Sequence, residues 1–386
     1  MSKNILWLAS WYPNTLDPFD GDFIQRHAKA VALFQKLTVI YIKKDEKREL
    51  TKDIKIISSS QDNLTEIIVF YHTPKTRFHF LNRLLSAIKY RKVSHRILRK
   101  YIEENGKPDI VHIHVALKAG LMALFLKRTL KIPFLVTEHW SGYYKSANIN
   151  IYNSGIFFKK YTLKILANAS LLLPVTHNLG QVINKDVVRI PFEVIPNVVN
   201  TDLFNYQPSA ITKFRFIHAS SLNYYKNPEG IIRAVKQLAL EGLNFELIFI
   251  GWVTQPLIDL ADKLLLTNKY IFFKHPIPYE EVAREMKEAS SLVLFSRIES
   301  LPCIMLEALC CGLPVISTDV GGINKVINES NGLLVESENE QQLAEAMKKM
   351  IFNYGSYNKA EIAQKATGEF SYVNIGGKIN EIYKRL

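Results

Sequence analysis

The sequence predicts an α/β protein with two Rossmann-like, doubly wound domains that face each other across a cleft. Apolar, β-branched runs alternate with helix-length segments along the whole chain, and 386 residues exceed what one hydrophobic core usually serves. The basic residues are also unevenly distributed. Residues 1–200 contain 30 Lys and Arg against 15 Asp and Glu, whereas residues 201–386 contain 19 against 21. The boundary is therefore predicted near Asn200, where turn residues precede a polar stretch.

Each domain is expected to be a parallel sheet covered by helices on both faces. In residues 1–200 the predicted strands are 5–9, 37–42, 67–71, 110–114, 134–137, 171–175 and 193–195, with helices at 23–34, 81–101 and 120–130. In residues 201–370 the predicted strands are 214–219, 246–250, 271–274, 292–295 and 315–318, with helices at 229–240, 257–267, 279–289 and 305–311. A final helix within residues 371–386 is expected to pack back on the first domain.

Composition excludes several classes of protein. No apolar run approaches the about 18–20 residues of a membrane-spanning helix, and the N-terminal run is interpreted as a buried strand, not a signal peptide. The three cysteines, Cys303, Cys310 and Cys311, form neither a disulfide framework nor a zinc-site spacing. We therefore expect a cytoplasmic protein without a zinc site.

The stretch 296–322 places two carboxylates in an apolar setting. A predicted strand ends at Phe295, a short loop carries Glu299, Pro302 suits the first turn of a helix, and that helix carries Glu307 as an outward-facing residue. The N–H groups of a helix N-terminus bind phosphate readily. Carboxylates beside such a site are suited to accept hydrogen bonds from sugar and ribose hydroxyls.

The spacing of this stretch resembles a known signature. Glu299 and Glu307 are separated by seven residues and are followed by Ala308-Leu309, by Gly312-Leu313-Pro314 and by Gly321-Gly322. This pattern is similar to that of the family-4 (group 1) retaining glycosyltransferases, which have the GT-B fold. The resemblance implies that the second domain binds a nucleotide-sugar donor.

The resemblance also assigns roles within the donor site. It implies that Glu299 contacts hydroxyls of the donor sugar and that Glu307 binds the ribose hydroxyls. The backbone N–H groups of Cys303 and Ile304 would hold the distal phosphate. Lys226 matches the family lysine that grips the diphosphate, and together with Glu299 it is predicted to be catalytic.

One part of the phosphate grip departs from the family pattern. Ser221 stands where the family usually has an arginine, and Arg297 on the neighbouring loop is predicted to supply the missing charge. The base is expected to contact Lys274 and His275, and these residues do not distinguish uracil from guanine or adenine.

In the first domain the resemblance points to three further residues. Gly21 matches a glycine-bearing loop that lies close to the donor phosphates and the acceptor. His139 matches a catalytic histidine that contacts the donor sugar, and an imidazole can be charged near neutral pH. His114 is a candidate for the acceptor side, although its alternation along a strand is typical of a residue on the face of a sheet.

The resemblance implies a retaining, metal-independent hexosyltransferase without a bound metal or cofactor. A UDP-sugar is the favoured donor, and the acceptor is a hydroxyl of a glycan or of a polyprenyl-diphosphate-linked glycan in bacterial capsule, O-antigen or exopolysaccharide synthesis. The family is expected to retain configuration by front-face attack, in which the leaving phosphate takes the acceptor proton. The mixed basic and apolar stretch 77–100 can lie on an anionic membrane, at the inner face of the cytoplasmic membrane.

Other functions are left open. A nucleic-acid-binding protein would also be basic, but it should show a binding module or interleaved aromatic residues, so no nucleic acid is predicted as a partner. A non-catalytic nucleotide-sugar-binding protein would fit the weakened phosphate grip at Ser221. A sugar-nucleotide epimerase of related fold would convert the donor without any acceptor. A dehydrogenase is disfavoured because the Gly-x-Gly-x-x-Gly fingerprint is absent.

Overall fold

Two β-sheets organise the chain, one in each of the two units of the computed structural model. The structure describes residues 3–50, 52–74, 76–208 and 213–386. Unit 1 comprises Met1–Ile195 together with Ile375–Leu386, and unit 2 comprises Pro196–Asn374. The chain thus passes from one unit to the other close to Asn200, where the charge balance of the sequence changes.

Unit 1 is a mostly parallel sheet flanked by helices. Its strands are β1 (Ile5–Ala9), β2 (Leu37–Lys44), β3 (Ile54–Gln61), β4 (Leu64–Tyr71), β5 (Ile110–His114), β6 (Phe134–Glu138) and β7 (Leu172–Pro174). The helices are α1 (Asp22–Ala32), α2 (His79–Asn105), α3 (Ala119–Leu130), α4 (Ile156–Asn168) and α5 (His177–Asp186). Across the described residues the strand order is β3-β4-β2-β1-β5-β6-β7, and only β3 and β4 pair in antiparallel fashion. Every residue of β1 and of β5 is buried, as expected for strands covered on both faces.

Unit 2 is a fully parallel sheet. Its strands are β8 (Phe214–Ala219), β9 (Phe245–Ile250), β10 (Ile271–Lys274), β11 (Ser291–Leu294), β12 (Val315–Thr318) and β13 (Gly332–Val335). The helices are α6 (Pro228–Leu240), α7 (Gln255–Lys263), α8 (Tyr279–Glu288), α9 (Cys303–Cys310), α10 (Glu340–Asn353) and α11 (Lys359–Phe370). The strand order in the described residues is β10-β9-β8-β11-β12-β13. Phe216, Phe245 and Phe249 lie in its buried core.

The strand order of each sheet reverses near its middle. In unit 1 this reversal lies between β1 and β5, and in unit 2 it lies between β8 and β11. Loops that leave the carboxyl ends of strands on the two sides of such a reversal diverge and leave a crevice, which is where open α/β sheets bind ligands. The topology therefore directs attention to the loops after β8 and β11.

The last helix, α12 (Tyr372–Arg385), returns the chain to unit 1. Gly376 packs so closely on α1 that a Cβ atom there would lie 2.1 Å from the carbonyl oxygen of Ala30. The buried hydroxyl of Tyr383 accepts a hydrogen bond from Trp7 Nε1 at 2.9 Å. The C-terminal segment is thus part of the core of unit 1.

The structure differs from the predicted elements in a few places. The segment predicted as a strand at 193–195 does not form a regular strand. It pairs with β7 through an isolated bridge between Phe192 and Leu172 and through the N–H groups of Glu193 and Ile195, which donate to β7. Strand β3 was not predicted because its serine-rich second half is polar. It is an exposed edge strand, so its outward positions carry no apolar pattern. Helices α4, α5, α10 and α11 and strand β13 were also not predicted.

Candidate functional site

The two loops at the reversal of the unit 2 sheet bring a lysine and a glutamate together. Lys226, from the loop after β8, forms an ion pair with Oε1 of Glu299, from the loop after β11. The same oxygen accepts a hydrogen bond from Ser296 Oγ at 2.8 Å. Only 8% of Glu299 is exposed, and among the described residues Oε2 of Glu299 has no hydrogen-bond partner. That oxygen is available to accept a ligand hydroxyl.

A glycine holds the backbone of the Glu299 loop. Gly321 has a φ of +62°, and a Cβ atom at this position would lie 2.1 Å from the carbonyl oxygen of Glu299. A left-handed backbone and a close approach both favour glycine. On the other side of the loop, Thr318 Oγ1 donates to the carbonyl oxygen of Ser296 at 2.7 Å. The end of β12 and the segment after it therefore fix the loop that carries the carboxylate.

The second carboxylate is buried, and the prediction that Glu307 faces outward from its helix was wrong. Only 2% of Glu307 is exposed, and Tyr279 donates its hydroxyl to Oε1 of Glu307 at 2.5 Å. Pro302 also lies one position earlier than predicted, since α9 begins at Cys303. Cys303 and Ile304 are half-buried in the first turn of α9, whose N–H groups have no intrahelical acceptor.

Of the two serines after β8, Ser220 has a structural role because it contacts the buried His218. His218 is fully buried, with Nδ1 at 2.7 Å from the carbonyl oxygen of Val293 and Nε2 at 2.8 Å from Ser220 Oγ. Because a carbonyl only accepts, Nδ1 carries the proton and Nε2 accepts from the serine. Burial lowers the pKa of His218 to about 4, so it is neutral. Ser221 is exposed and brings no charge to this loop.

Arg297, which was predicted to supply positive charge to the phosphates, contacts Glu338 and Tyr224 in the structure. Its Nε donates to Glu338 at 2.9 Å, and its guanidinium lies 4.2 Å from the centre of the Tyr224 ring. Its backbone N–H also donates to the carbonyl oxygen of Tyr225 at 2.8 Å. Arg297 therefore braces the loop that carries Lys226, and its positive charge is matched by a carboxylate.

The predicted base-contacting residues, Lys274 and His275, lie at the end of β10, at the same edge of the sheet. Lys274 Nζ donates to Glu285 at 2.6 Å, and His275 is exposed. The backbone of Lys274 accepts from the N–H of Gly251 at 3.1 Å, which ties this strand end to the loop after β9. Trp252 directly follows that glycine and is 61% exposed, so it offers an aromatic face beside these loops.

In unit 1, Gly21 and His139 come from loops at the carboxyl ends of β1 and β6. Gly21 precedes α1 with a φ of +67°, and a Cβ atom there would meet Trp11 at 2.6 Å. The His139 ring packs on Phe23 of α1, with 4.6 Å between ring centres. The first turn of α1 and the loop after β6 are therefore in contact.

His114 has no exposed surface. Its ring lies 4.0 Å from the ring of Trp7 and 4.5 Å from that of His112, and burial followed by the neighbouring histidines holds its pKa well below the ordinary value. His112 bridges Tyr383 at 2.5 Å and Thr137 at 2.6 Å. The acceptor contact predicted for His114 thus has no accessible atom in this structure, because the ring is part of the core.

Sequence reasoning did not identify Glu138, the residue before His139. This carboxylate is fully buried and accepts from Tyr143 Oη at 2.5 Å, from the N–H of His139 at 3.2 Å and from the N–H of Ala116 at 3.3 Å. Burial raises the pKa of Glu138 to about 7. Glu138 therefore links the loop after β6 to the loop after β5. An acidic residue at the end of a buried strand was the available signal.

Asp20 and Asp22, on either side of Gly21, have the spacing of an Asp-x-Asp motif, which is not expected from the resemblance to a metal-independent family. However, Asp20 pairs with Lys43 at 2.7 Å and accepts from Tyr41 at 2.6 Å, while Asp22 pairs with Arg26 at 3.3 Å. In the part of the chain that the structure describes, no three His, Cys, Asp or Glu side chains are grouped to hold a metal ion. Nor does any described helix have the length and apolarity needed to cross a membrane.

Two family models match the chain on either side of the boundary between the units. Residues 48–203 match Glycosyltransferase Family 4, and residues 201–367 match Glycosyl transferases group 1. The chain belongs to the group 1, family 4 glycosyltransferases. The second match contains the loops that carry Lys226 and Glu299 and the helix that carries Glu307.

Relatives of this glycosyltransferase are found in bacteria. It is 26% identical over 371 residues to the putative teichuronic acid biosynthesis glycosyltransferase TuaC of Bacillus subtilis, with 89% of this chain and 88% of TuaC covered. It is 24% identical over 247 residues to the N-acetyl-alpha-D-glucosaminyl L-malate synthase of Bacillus anthracis, with 59% of this chain and 61% of the synthase covered.

Solved structures confirm the predicted GT-B fold of two α/β domains. Sucrose-phosphate synthase from Thermosynechococcus elongatus matches with a TM-score of 0.79 at 17% identity, covering 99% of both chains. HepE from Anabaena, solved in complex with UDP and glucose, matches with a TM-score of 0.74 at 16% identity, covering 100% of both chains. At these identities the likeness concerns the fold.

Proposed function

We propose that this glycosyltransferase transfers a sugar from a UDP-sugar to a hydroxyl of a glycan or a lipid-linked glycan, with retention of configuration and without a metal ion. The observation that carries the proposal is the convergence of Lys226 and Glu299 from the two loops at the reversal of the unit 2 sheet. A half-buried lysine paired with a buried carboxylate whose second oxygen is available is suited to a ligand that carries both phosphate and hydroxyl groups.

Each group of the donor meets a chemically suitable partner in this proposal. Lys226 and the N–H groups of Cys303 and Ile304 stabilise the negative charge that builds up on the leaving diphosphate. Oε2 of Glu299 accepts from a hydroxyl of the donor sugar. Glu307, held by Tyr279, accepts from the ribose hydroxyls. Retention follows the family expectation that the leaving phosphate, and no protein carboxylate, takes the acceptor proton.

The choice of donor and pathway is supported by the related proteins. HepE has been solved with UDP, with UDP and glucose, and with UDP-glucose, which favours a uridine nucleotide for this chain. TuaC is described as a teichuronic acid biosynthesis glycosyltransferase, which favours a bacterial surface polysaccharide as the product. Within this proposal the protein acts at the inner face of the cytoplasmic membrane, where lipid-linked acceptors are held.

One observation favours a second candidate. Ser221 is exposed and uncharged, and Arg297 pairs with Glu338, so among the described residues of these two loops Lys226 is the cation that faces the Glu299 carboxylate. A protein that binds nucleotide-sugars without transferring the sugar would tolerate this loss of positive charge. An epimerase would also bind the donor, but it would change the sugar without an acceptor.

Calorimetric titration of the full chain with UDP-, GDP- and ADP-sugars in the presence of a chelator tests the proposal. We expect saturable binding of UDP-sugars, at least tenfold weaker in Glu307→Ala and unchanged in Glu329→Ala, which removes an exposed carboxylate of the same unit. Binding of another nucleotide class would overturn the choice of UDP. Binding without transfer to any glycan or lipid-linked acceptor would support the second candidate, and conversion of the sugar alone would support the epimerase.

A further inference from the structure

Unit 1 contains a cavity of about 1040 Å³ that none of the donor-binding residues lines. It lies between α2, α3 and α4 and reaches the carboxyl ends of β2 and β4, where Lys44 and Tyr71 line it. Its volume is at the upper end of the range of about 300–1,000 Å³ that small-molecule sites occupy. Its position at the carboxyl edge of the sheet is where α/β sheets place ligands. We refer to it as the α2–α4 groove.

Part of the groove wall is apolar. Met122 and Leu124 of α3 are buried there, and Phe125 stacks on His95 of α2 with 4.3 Å between ring centres. Tyr90 adds a buried aromatic ring from α2. Binding of a hydrocarbon chain against such a wall is favourable, because it removes apolar surface from water.

The lining is also strongly cationic. Among the residues that the structure describes, it contains seven Lys and Arg side chains against the two carboxylates of Asp45 and Glu46. Within the described residues, Lys44 pairs with Glu46, and the other six cations form no ion pair with a carboxylate, namely Arg48, Arg83, Arg91, Lys118, Arg128 and Lys164. Unpaired cations from three helices around one space favour an anionic ligand group.

The groove is bordered by exposed apolar side chains. Phe80, at the start of α2, is 78% exposed, and Phe157, at the start of α4, is 73% exposed. Ile88 and Tyr161, which line the groove itself, are 45% and 48% exposed. Large exposed apolar residues next to Lys and Arg are typical of surfaces that lie in the headgroup region of a membrane.

We propose that the α2–α4 groove binds the isoprenoid chain and the diphosphate of a lipid-linked acceptor. This inference rests on the proposed function, because it identifies the acceptor as a membrane lipid. A groove of about 1040 Å³ between three helices favours one inserted chain over contact with a bilayer surface alone. The cations without a carboxylate partner favour a head group with more than one negative charge. Phe80 and Phe157 would lie in the bilayer from which that lipid is taken.

The test uses the full chain and three probes: farnesyl diphosphate, farnesol and inorganic pyrophosphate, each titrated by calorimetry. We expect farnesyl diphosphate to bind saturably, and the other two to bind at least tenfold more weakly, because each lacks one half of the ligand. Two variants address the two halves of the site. Ala87→Trp fills the groove from an exposed position of α2, and Arg91→Glu with Lys118→Glu reverses two lining charges. Lys29→Glu reverses an exposed charge on α1 that does not line the groove.

The expected result is a loss of farnesyl diphosphate affinity of at least tenfold in both groove variants and a change of less than twofold in Lys29→Glu. Two results together would overturn the inference in favour of a surface contact. The protein would show no saturable binding of farnesyl diphosphate, and it would bind phosphatidylglycerol vesicles equally well with and without Ala87→Trp. UDP-sugar titrations run alongside separate the two proposals. If the protein binds UDP-sugars but not farnesyl diphosphate, only the proposal of a lipid-linked acceptor in the groove is refuted. If the folded protein binds neither ligand, the proposed donor site is refuted as well.

Discussion

Lys226 and Glu299 form an ion pair across 73 residues of sequence, and their partnership follows from the strand order of unit 2. Strands β8 and β11 are neighbours at the reversal of the sheet, so the loops that follow them leave the same edge side by side. The lysine holds one oxygen of the carboxylate, and Ser296 shares that oxygen. The pair is thus positioned before a donor arrives.

Replacing Lys226 with alanine should reduce kcat by about 10²–10³, the usual cost of removing one group that stabilises charge in a transition state. The lysine is the cation nearest to Glu299, and the leaving diphosphate needs positive charge. Steady-state kinetics with a UDP-sugar would measure this effect. Lys263→Ala, at an exposed position of the same unit, should leave kcat unchanged. An equal loss in both variants would show that Lys226 has no special role.

Replacing Glu307 with glutamine should weaken UDP binding about ten- to hundredfold. Hydrogen bonds to charged groups contribute about 1.5–3 kcal/mol, and the amide retains the shape of the carboxylate but loses its charge. Tyr279→Phe removes the hydroxyl that orients Glu307 and should weaken UDP binding less. Calorimetry with UDP alone measures both variants. A larger effect for Tyr279→Phe would mean that the carboxylate mainly stabilises the fold.

The sequence predicted the donor loop and its helix because Glu299, Glu307 and the glycines after them lie within one short segment. It did not predict that Glu307 is buried. The sequence of a helix shows its apolar residues, but it does not show whether other parts of the protein also cover the side that carries Glu307. Arg297 was expected to supply charge, but which carboxylate it meets depends on Glu338, which lies far along the chain. Burial of His114 likewise results from packing against Trp7 and His112.

Glu138 should make unit 1 less stable as the pH rises from about 4.5 to about 7. Burial raises the pKa of this carboxyl to about 7, so in that window the unfolded chain loses a proton that the folded unit keeps. The stabilisation is complete below the unfolded pKa and is lost as the pH passes through the folded one. The free energy of unfolding of Glu138→Gln, measured relative to the wild type, should therefore be higher at pH 8 than at pH 4.5, by up to about 3 kcal/mol. Denaturant unfolding at both pH values measures this difference, and a constant difference would contradict the raised pKa.

The buried His112 and His114 should make unit 1 less stable as the pH falls, which is the opposite of the effect of Glu138. Burial holds the pKa values of His112 and His114 well below the ordinary value, so below about pH 6.5 the unfolded chain gains protons that the folded unit does not. Their contribution to stability is present above that pH and is lost as the pH falls. His114→Phe should remove part of this loss, up to about 1.4 kcal/mol per pH unit. Acid titration followed by tryptophan fluorescence measures it, and an unchanged acid transition would argue against a neutral His114.

Two glycines of unit 2 should respond in opposite ways to alanine. Gly321 has a φ of +62° and lies against the carbonyl oxygen of Glu299, whereas a Cβ atom at Gly368, on the exposed side of α11, would meet nothing within 4 Å. Gly368→Ala should stabilise the protein by about 0.5–1 kcal/mol, because glycine is costly inside a helix. Gly321→Ala should destabilise it by at least about 1–2 kcal/mol, the cost of a left-handed backbone for an alanine. It should also weaken UDP-sugar binding, since the added methyl group displaces the backbone that carries Glu299. Thermal unfolding and calorimetry on both variants test the pair, and full donor affinity in Gly321→Ala would mean that the position of Glu299 does not depend on this contact.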